Sequence, residues 1–171
     1  HAALSPAISR LENVLRAGVT EAMLRCLRQL GVQITDEGST LTIQGGHWHA
    51  PTEPLDCGNS GTTMRFLTAA LPLGQGRYRI DGVPRMRLRP IAPLLDALNG
   101  LGADAQSELG TGCPPIVVNA SGLPGGSTRM AGDLSSQYFS ALLMAAPYAR
   151  NGVEVGVIGD LVSKPYLPMT T

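Results

Sequence analysis

Two segments of this chain end in the same way. Leu27-Arg28-Gln29-Leu30-Gly31 and Leu98-Asn99-Gly100-Leu101-Gly102 both read Leu-x-x-Leu-Gly, with their glycines 71 positions apart. An apolar stripe at helical spacing precedes each ending: Leu15, Val19, Met23, Leu24 and Leu27 in the first, Leu94, Leu95 and Leu98 in the second. The terminal glycines stand where a helix closes, and Pro90 stands where the second helix is expected to start. A spacing of this size means one supersecondary unit used more than once. Within the first unit, Val32–Ile34 and Leu41–Ile43 alternate like strands around an Asp36-Glu37-Gly38 turn. A helix over Gly61–Leu73 and a strand at Tyr78–Ile80 follow. The second unit supplies a helix over Tyr138–Pro147 and a strand at Val153–Ile158. The expected class is α/β (α+β), with helices buried against sheets. The expected organisation is one incomplete domain over 1–171, with units at roughly 11–80 and 81–150. A third unit is expected to start near Pro165, in the place of Pro90, and to be cut off after 171.

The loops that open the second helix of each unit carry the chemistry. Asp56-Cys57-Gly58-Asn59-Ser60-Gly61-Thr62-Thr63-Met64-Arg65 places two glycines, an amide and three hydroxyls directly before an apolar run. A helix start offers unpaired N–H groups and partial positive charge, which suits phosphate or carboxylate. Arg65, one turn in, adds a guanidinium that can grip the same anion in two places. Plain N-capping also explains such a loop. The pattern is neither a P-loop, lacking Gly-Lys-Ser/Thr, nor a dinucleotide fingerprint. Ser135-Ser136-Gln137 at the equivalent helix start favours the anion reading over capping. A cap needs one hydroxyl, whereas three hydrogen-bonding side chains suit an anion.

Formal net charge is zero and aromatic residues are 4% of the chain, which argues against nucleic acid and anionic membrane surfaces as partners. No apolar run is long enough to cross a bilayer and no secretory leader pattern is present, so the expected compartment is the cytoplasm. Lys164 is the only lysine, and Arg85, Arg87 and Arg89 form a tight basic group suited to anions or to a solvated strand end. Cys26, Cys57 and Cys113 show no Cys-x-x-Cys pair, so neither a disulfide framework nor a zinc site is expected. Cys26 reads as a packed small hydrophobe, and Cys113 as a free surface thiol rather than a nucleophile. His47 and His49 flank Trp48 with no third metal ligand near, and a loop edge is expected there.

Four segments in order resemble the 5-enolpyruvylshikimate-3-phosphate synthase family: Leu55–Arg65, Pro84-Arg85-Met86-Arg87-Leu88-Arg89-Pro90-Ile91, Ser135-Ser136-Gln137, and Leu161-Val162-Ser163-Lys164-Pro165-Tyr166. The resemblance runs from about Leu11 to Thr170 and covers well under half of the usual enzyme. It implies an inverse-barrel-like domain of βαβαββ repeats, one of two such domains. It also implies transfer of the enolpyruvyl group of phosphoenolpyruvate to the 5-hydroxyl of shikimate 3-phosphate, on the way to aromatic amino acids, with no cofactor and no metal. By resemblance Ser135, Ser136, Ser163 and Tyr166 surround the 3-phosphate, and Gln137 lies between the two substrates. Arg89 holds phosphoenolpyruvate, and Gly61 packs its backbone against that substrate, or against glyphosate in its place. Asn59 and Arg65 shape the same loop and its potential, and Lys164 and Arg85 support it.

The departures from the family pattern are equally specific. The opening Lys-Ser-x-Ser-x-Arg segment is absent, and His1–Ser9 only loosely matches the helix that follows it. The acidic pair usual near Gly18–Thr20 is missing, and Pro168 replaces an Asp. The second domain, which carries the catalytic carboxylates, is absent. No residue here is therefore assigned a catalytic role, and the chain alone is expected to bind shikimate 3-phosphate weakly without turnover. Two alternatives are weighed. One is a non-catalytic split or truncated module that docks a complementary chain. The other is UDP-N-acetylglucosamine enolpyruvyl transferase, whose reactive loop cysteine Cys113 does not match in context.

Overall fold

The computed structural model describes residues 1–46 and 48–160 of the chain. In order these form β1 (Ile8–Leu11), α1 (Gly18–Gln29), β2 (Gln33–Glu37), β3 (Thr40–Gln44), β4 (Leu55–Asp56), α2 (Gly61–Ala70) and β5 (Gln75–Asp81). Then come α3 (Ala92–Gly100), β6 (Asp104–Ser107), β7 (Ile116–Ser121), β8 (Gly126–Ala131), α4 (Ser136–Ala145) and β9 (Val153–Ile158).

The two Leu-x-x-Leu-Gly endings fold alike. The Val32 N–H donates to Leu27 O and the Ala103 N–H donates to Leu98 O, each at 3.0 Å, closing α1 and α3 with the same turn. Gly31 at φ +91° and Gly102 at φ +84° occupy the left-handed conformation that the turn requires. Both α2 and α4 end in a single 3₁₀ turn, Leu71–Leu73 and Ala146–Tyr148, where Pro72 and Pro147 can donate no backbone hydrogen bond.

The strands then recur in the same order. After α1, β2 and β3 pair antiparallel, and β4 and β5 pair parallel across α2. After α3, β6 and β7 pair antiparallel, and β8 and β9 pair parallel across α4. The first passage joins the second where β5 pairs antiparallel with β7, in a sheet ordered β4-β5-β7-β6. β1 runs antiparallel to β3 in a smaller sheet ordered β1-β3-β2. Mixed helices and sheets of this kind agree with the α/β class expected from sequence.

Helices α2 and α4 lie against each other, and their buried faces join one continuous core with Leu24, Leu30, Leu55, Ile80, Leu98 and Val118. Among the described residues no helix is long and apolar enough to cross a membrane. An apolar hollow of about 370 Å³ between α1, α2, α4 and the β1–β3 edge is lined, among the described residues, by no arginine or lysine and is separate from the polar loops.

Several local expectations shift. The β2–β3 turn falls at Gly38 and Ser39, because Asp36 and Glu37 extend the strand, with Asp36 held by the Arg16 guanidinium. The first helix starts at Gly18 rather than Leu15. Leu15 and Val19 are exposed and lie off its buried face. The third helix starts at Ala92, with Pro93 rather than Pro90 in its first turn. His1–Ser9 contributes to the strand β1, which no alternation in the sequence signalled.

Candidate anion site at two helix starts

The Gly58–Arg65 loop is shaped by its own backbone. Gly58 takes φ +56°, its N–H donates to Asp56 Oδ1 at 2.8 Å, and its carbonyl accepts from Val83 N–H at 3.1 Å. Ser60 caps α2: its Oγ accepts from Thr63 N–H at 3.2 Å and donates to Thr63 Oγ1 at 2.8 Å. Ser60 is buried and both hydroxyls are satisfied, so it serves the helix. The same loop leaves Gly61 at the first helical position with its Cα face open to two guanidinium groups. Arg89 Nη1 lies 3.0 Å and Arg65 Nη1 3.1 Å from the point a Cβ would occupy.

α4 begins beside that point. Ser135 caps it weakly, accepting from Gln137 N–H at 3.4 Å. Ser136 is half-buried, and its hydroxyl makes no hydrogen bond to another described residue. Gln137 reaches back to α2, where its Oε1 accepts from Arg65 Nη1 at 2.7 Å and its Nε2 donates to Thr62 Oγ1 at 3.4 Å. The first turns of the two helices are thus tied together by one amide side chain, and their unpaired N–H groups share a neighbourhood.

Most of the residues singled out from sequence therefore converge. Gly61, Arg65, Arg89, Gln137, Ser135 and Ser136 lie on adjoining loops, and Asn59 is exposed on the same turn. Ser163, Lys164 and Tyr166 lie outside the described residues. The Arg85, Arg87 and Arg89 group divides. Arg87 grips Asp81 through two hydrogen bonds, of 3.0 and 2.7 Å, and is thereby tied to β5. Among the described residues Arg85 and Arg89 have no carboxylate partner. Nor does any ion pair or hydrogen bond among those residues bring a carboxylate to Arg65.

Two contributors escaped sequence reading. Thr62 was one hydroxyl among several in the loop, and Tyr138 was one apolar helix position among many. The Tyr138 ring lies beneath the Arg65 guanidinium, 5.0 Å from its carbon, and its hydroxyl donates to Pro90 O at 2.8 Å. Only the position of Tyr138 directly after Ser-Ser-Gln hinted at this.

The remaining reactive groups are structural. Cys26 and Cys57 are fully buried, and burial above all pushes their thiols up to about 11 and about 12. Cys113 is partly exposed in the loop after β6, where its carbonyl accepts from Ser107 Oγ at 2.6 Å. His49 packs over Gly31, and Trp48 Nε1 donates to Ala3 O at 3.0 Å, so this segment covers the end of α1.

The chain is similar to known proteins along its whole length. The chain is 47% identical over 174 residues to the 3-phosphoshikimate 1-carboxyvinyltransferase of Shewanella denitrificans, covering 99% of this chain and 41% of that protein. It is 44% identical over 181 residues to the chloroplastic enzyme of that name from Solanum lycopersicum, covering 99% of this chain and 35% of the relative. The solved structure of EPSP synthase from Acinetobacter baumannii superposes with a TM-score of 0.83 at 27% identity, over 93% of this chain and 37% of that one. The chain thus spans about two fifths of the length of the relatives it matches. Residues 1–171 all fall within one family match, and with relatives from a bacterium and a plant agreeing at nearly half of the aligned positions, the chain belongs to the EPSP synthase (3-phosphoshikimate 1-carboxyvinyltransferase) family.

Proposed function

We propose that this chain carries the shikimate 3-phosphate side of an enolpyruvyl transfer site. In the reaction, the 5-hydroxyl of shikimate 3-phosphate adds to C2 of phosphoenolpyruvate while C3 takes a proton. The tetrahedral adduct then loses a proton from C3 as phosphate departs from C2, which leaves the enol ether. The observation that carries the proposal is the Arg65–Gln137 bond, which brings the starts of α2 and α4 to one anion-sized neighbourhood beside Arg89.

In this reading the N–H groups and hydroxyls at Ser135 and Ser136 take the 3-phosphate, joined by Ser163 and Tyr166. Gln137 lies between the substrates. Arg89 and Arg65 hold phosphoenolpyruvate over Gly61, with Asn59 shaping the loop. The two guanidinium groups sit close together with no carboxylate between them, so a bound dianion relieves their repulsion. Among the described residues no carboxylate is paired with Arg65 or Arg89 and none is assigned a proton-transfer role, so in this reading the 171-residue chain binds without turning over.

The test is a titration of the chain with shikimate 3-phosphate, followed by backbone amide chemical shifts. Shifts centred on α2 and α4 that vanish in the Ser135→Ala, Ser136→Ala double variant support the reading. A variant that responds like the parent chain refutes it. Running UDP-N-acetylglucosamine in parallel separates this acceptor from the nucleotide sugar of the sister enzyme, and measurable turnover by the chain alone would refute its inactivity.

A further inference from the structure

We propose that Tyr138 is a positioning residue that sets the spacing of Arg65 and Arg89 around Gly61. The proposal rests on the anion-site reading above and names what holds that site open. A phenol buried in the first turn of a helix needs a partner for its O–H. Tyr138 is 6% exposed and finds that partner at Pro90 O, 2.8 Å away and 48 residues earlier in sequence. Pro90 directly follows Arg89, so this bond pins the strand-like segment that carries the Arg89 side chain. The face of the same ring supports Arg65, whose guanidinium carbon lies 5.0 Å from the centroid. One side chain therefore touches both elements that bear the arginines.

The arrangement answers an electrostatic problem. Arg65 Nη1 and Arg89 Nη1 lie 3.1 and 3.0 Å from one point above Gly61, so the two cations are at most about 6 Å apart. Without an anion they repel and would splay. The ring quadrupole attracts one cation, and the pinned carbonyl fixes the backbone of the other. Phenylalanine would keep the first constraint and lose the second, and leucine would lose both. A ligand that engages both arginines, such as phosphoenolpyruvate with its carboxylate and phosphate, depends on this spacing more than inorganic phosphate does.

The experiment uses the 171-residue chain with nuclear magnetic resonance of arginine side chains. In the parent chain and in Tyr138→Phe, the Arg65 Hδ and Nε–H signals are shifted by the ring current, and in Tyr138→Leu the displacement is gone. In Tyr138→Phe the Arg89 Nε–H signal moves while Arg65 stays. Affinity for phosphoenolpyruvate falls roughly fivefold, while affinity for inorganic phosphate changes less than twofold. An unshifted Arg65 in the parent chain overturns the proposal with no variant needed. Equal losses for the two ligands in Tyr138→Phe, or no loss for either, also overturn it. If the parent chain binds neither ligand, the functional reading fails, and the Arg65 and Arg89 signals still decide the role of Tyr138.

Discussion

Arg65 Nη1 donates to Gln137 Oε1 at 2.7 Å, joining two helix starts that lie 72 residues apart in sequence. The amide accepts one cation without adding charge, so the neighbourhood stays positive. Gln137→Glu keeps the shape and converts the contact to an ion pair. The expected outcome is a fold stabilised by under ~1 kcal/mol, as for a partly exposed pair, with shikimate 3-phosphate binding lost to repulsion. Urea denaturation and ligand titration check the two halves. Undiminished binding in Gln137→Glu would show that ligand does not approach this amide.

Gly61→Ala also separates stability from binding. Gly61 adopts an ordinary helical conformation, and alanine favours a helix by up to about 1 kcal/mol, so the melting temperature should hold or rise. The new methyl would lie 3.0 and 3.1 Å from the two Nη1 atoms and displace both guanidinium groups. Phosphoenolpyruvate affinity should fall about tenfold, equal to about 1.4 kcal/mol. A variant that melts early, or that binds as before, contradicts the assignment of Gly61 to the ligand face.

The two capping serines should behave differently. Ser60 is buried and makes two hydrogen bonds of 3.2 Å or less, so Ser60→Ala should cost about 1–2 kcal/mol of stability. Ser135 is exposed and its single capping bond is 3.4 Å long, so Ser135→Ala should cost under ~1 kcal/mol. Denaturation midpoints of the two variants compare them directly. Equal costs would remove the case that Ser135 is kept for a ligand rather than for the helix.

Alkaline pH should destabilise the fold through its buried thiols. Cys26 and Cys57 stay protonated in the folded chain up to about 11 and about 12, whereas in the unfolded chain they ionise near an ordinary pKa of about 8.5. Above that value the unfolded state releases protons the folded state retains, so stability falls as pH rises. Below it these thiols add no pH dependence. The Cys26→Ala, Cys57→Ala variant, though less stable overall, should lose less stability than the parent chain between about pH 9 and 11. Identical slopes would mean the thiols are not buried as described. At neutral pH, iodoacetamide should label Cys113 first.

The sequence revealed those parts of the molecule whose cause is local. The glycine closures of α1 and α3, the hydroxyl-rich starts of α2 and α4 and the strand β9 follow from turn chemistry and periodicity within a few residues. What remained hidden depends on distant partners. β1 is a strand because β3 offers it an edge, and Ile8 on it is largely exposed. Arg87 looked equivalent to Arg89 until Asp81 claimed it. Tyr138 looked like core until the Pro90 carbonyl and the Arg65 guanidinium were found against it. Ser135, Ser136 and Gln137 were legible as a group because a repeated position made an otherwise ordinary loop worth comparing.

The 72-residue separation of Arg65 and Gln137 also bears on the order of folding events. Each helix can nucleate beside its own capping serine in microseconds or less, but the contact between them must wait for closure of a long loop and the pairing of β5 with β7. Gly61, Arg65 and Arg89 lie within one stretch of chain, but neither half holds both partners of the Arg65–Gln137 bond. Recovery of binding that needs both helix starts therefore reports a late tertiary step, and a chain stalled before it would show native-like helicity with the two halves of the site still apart.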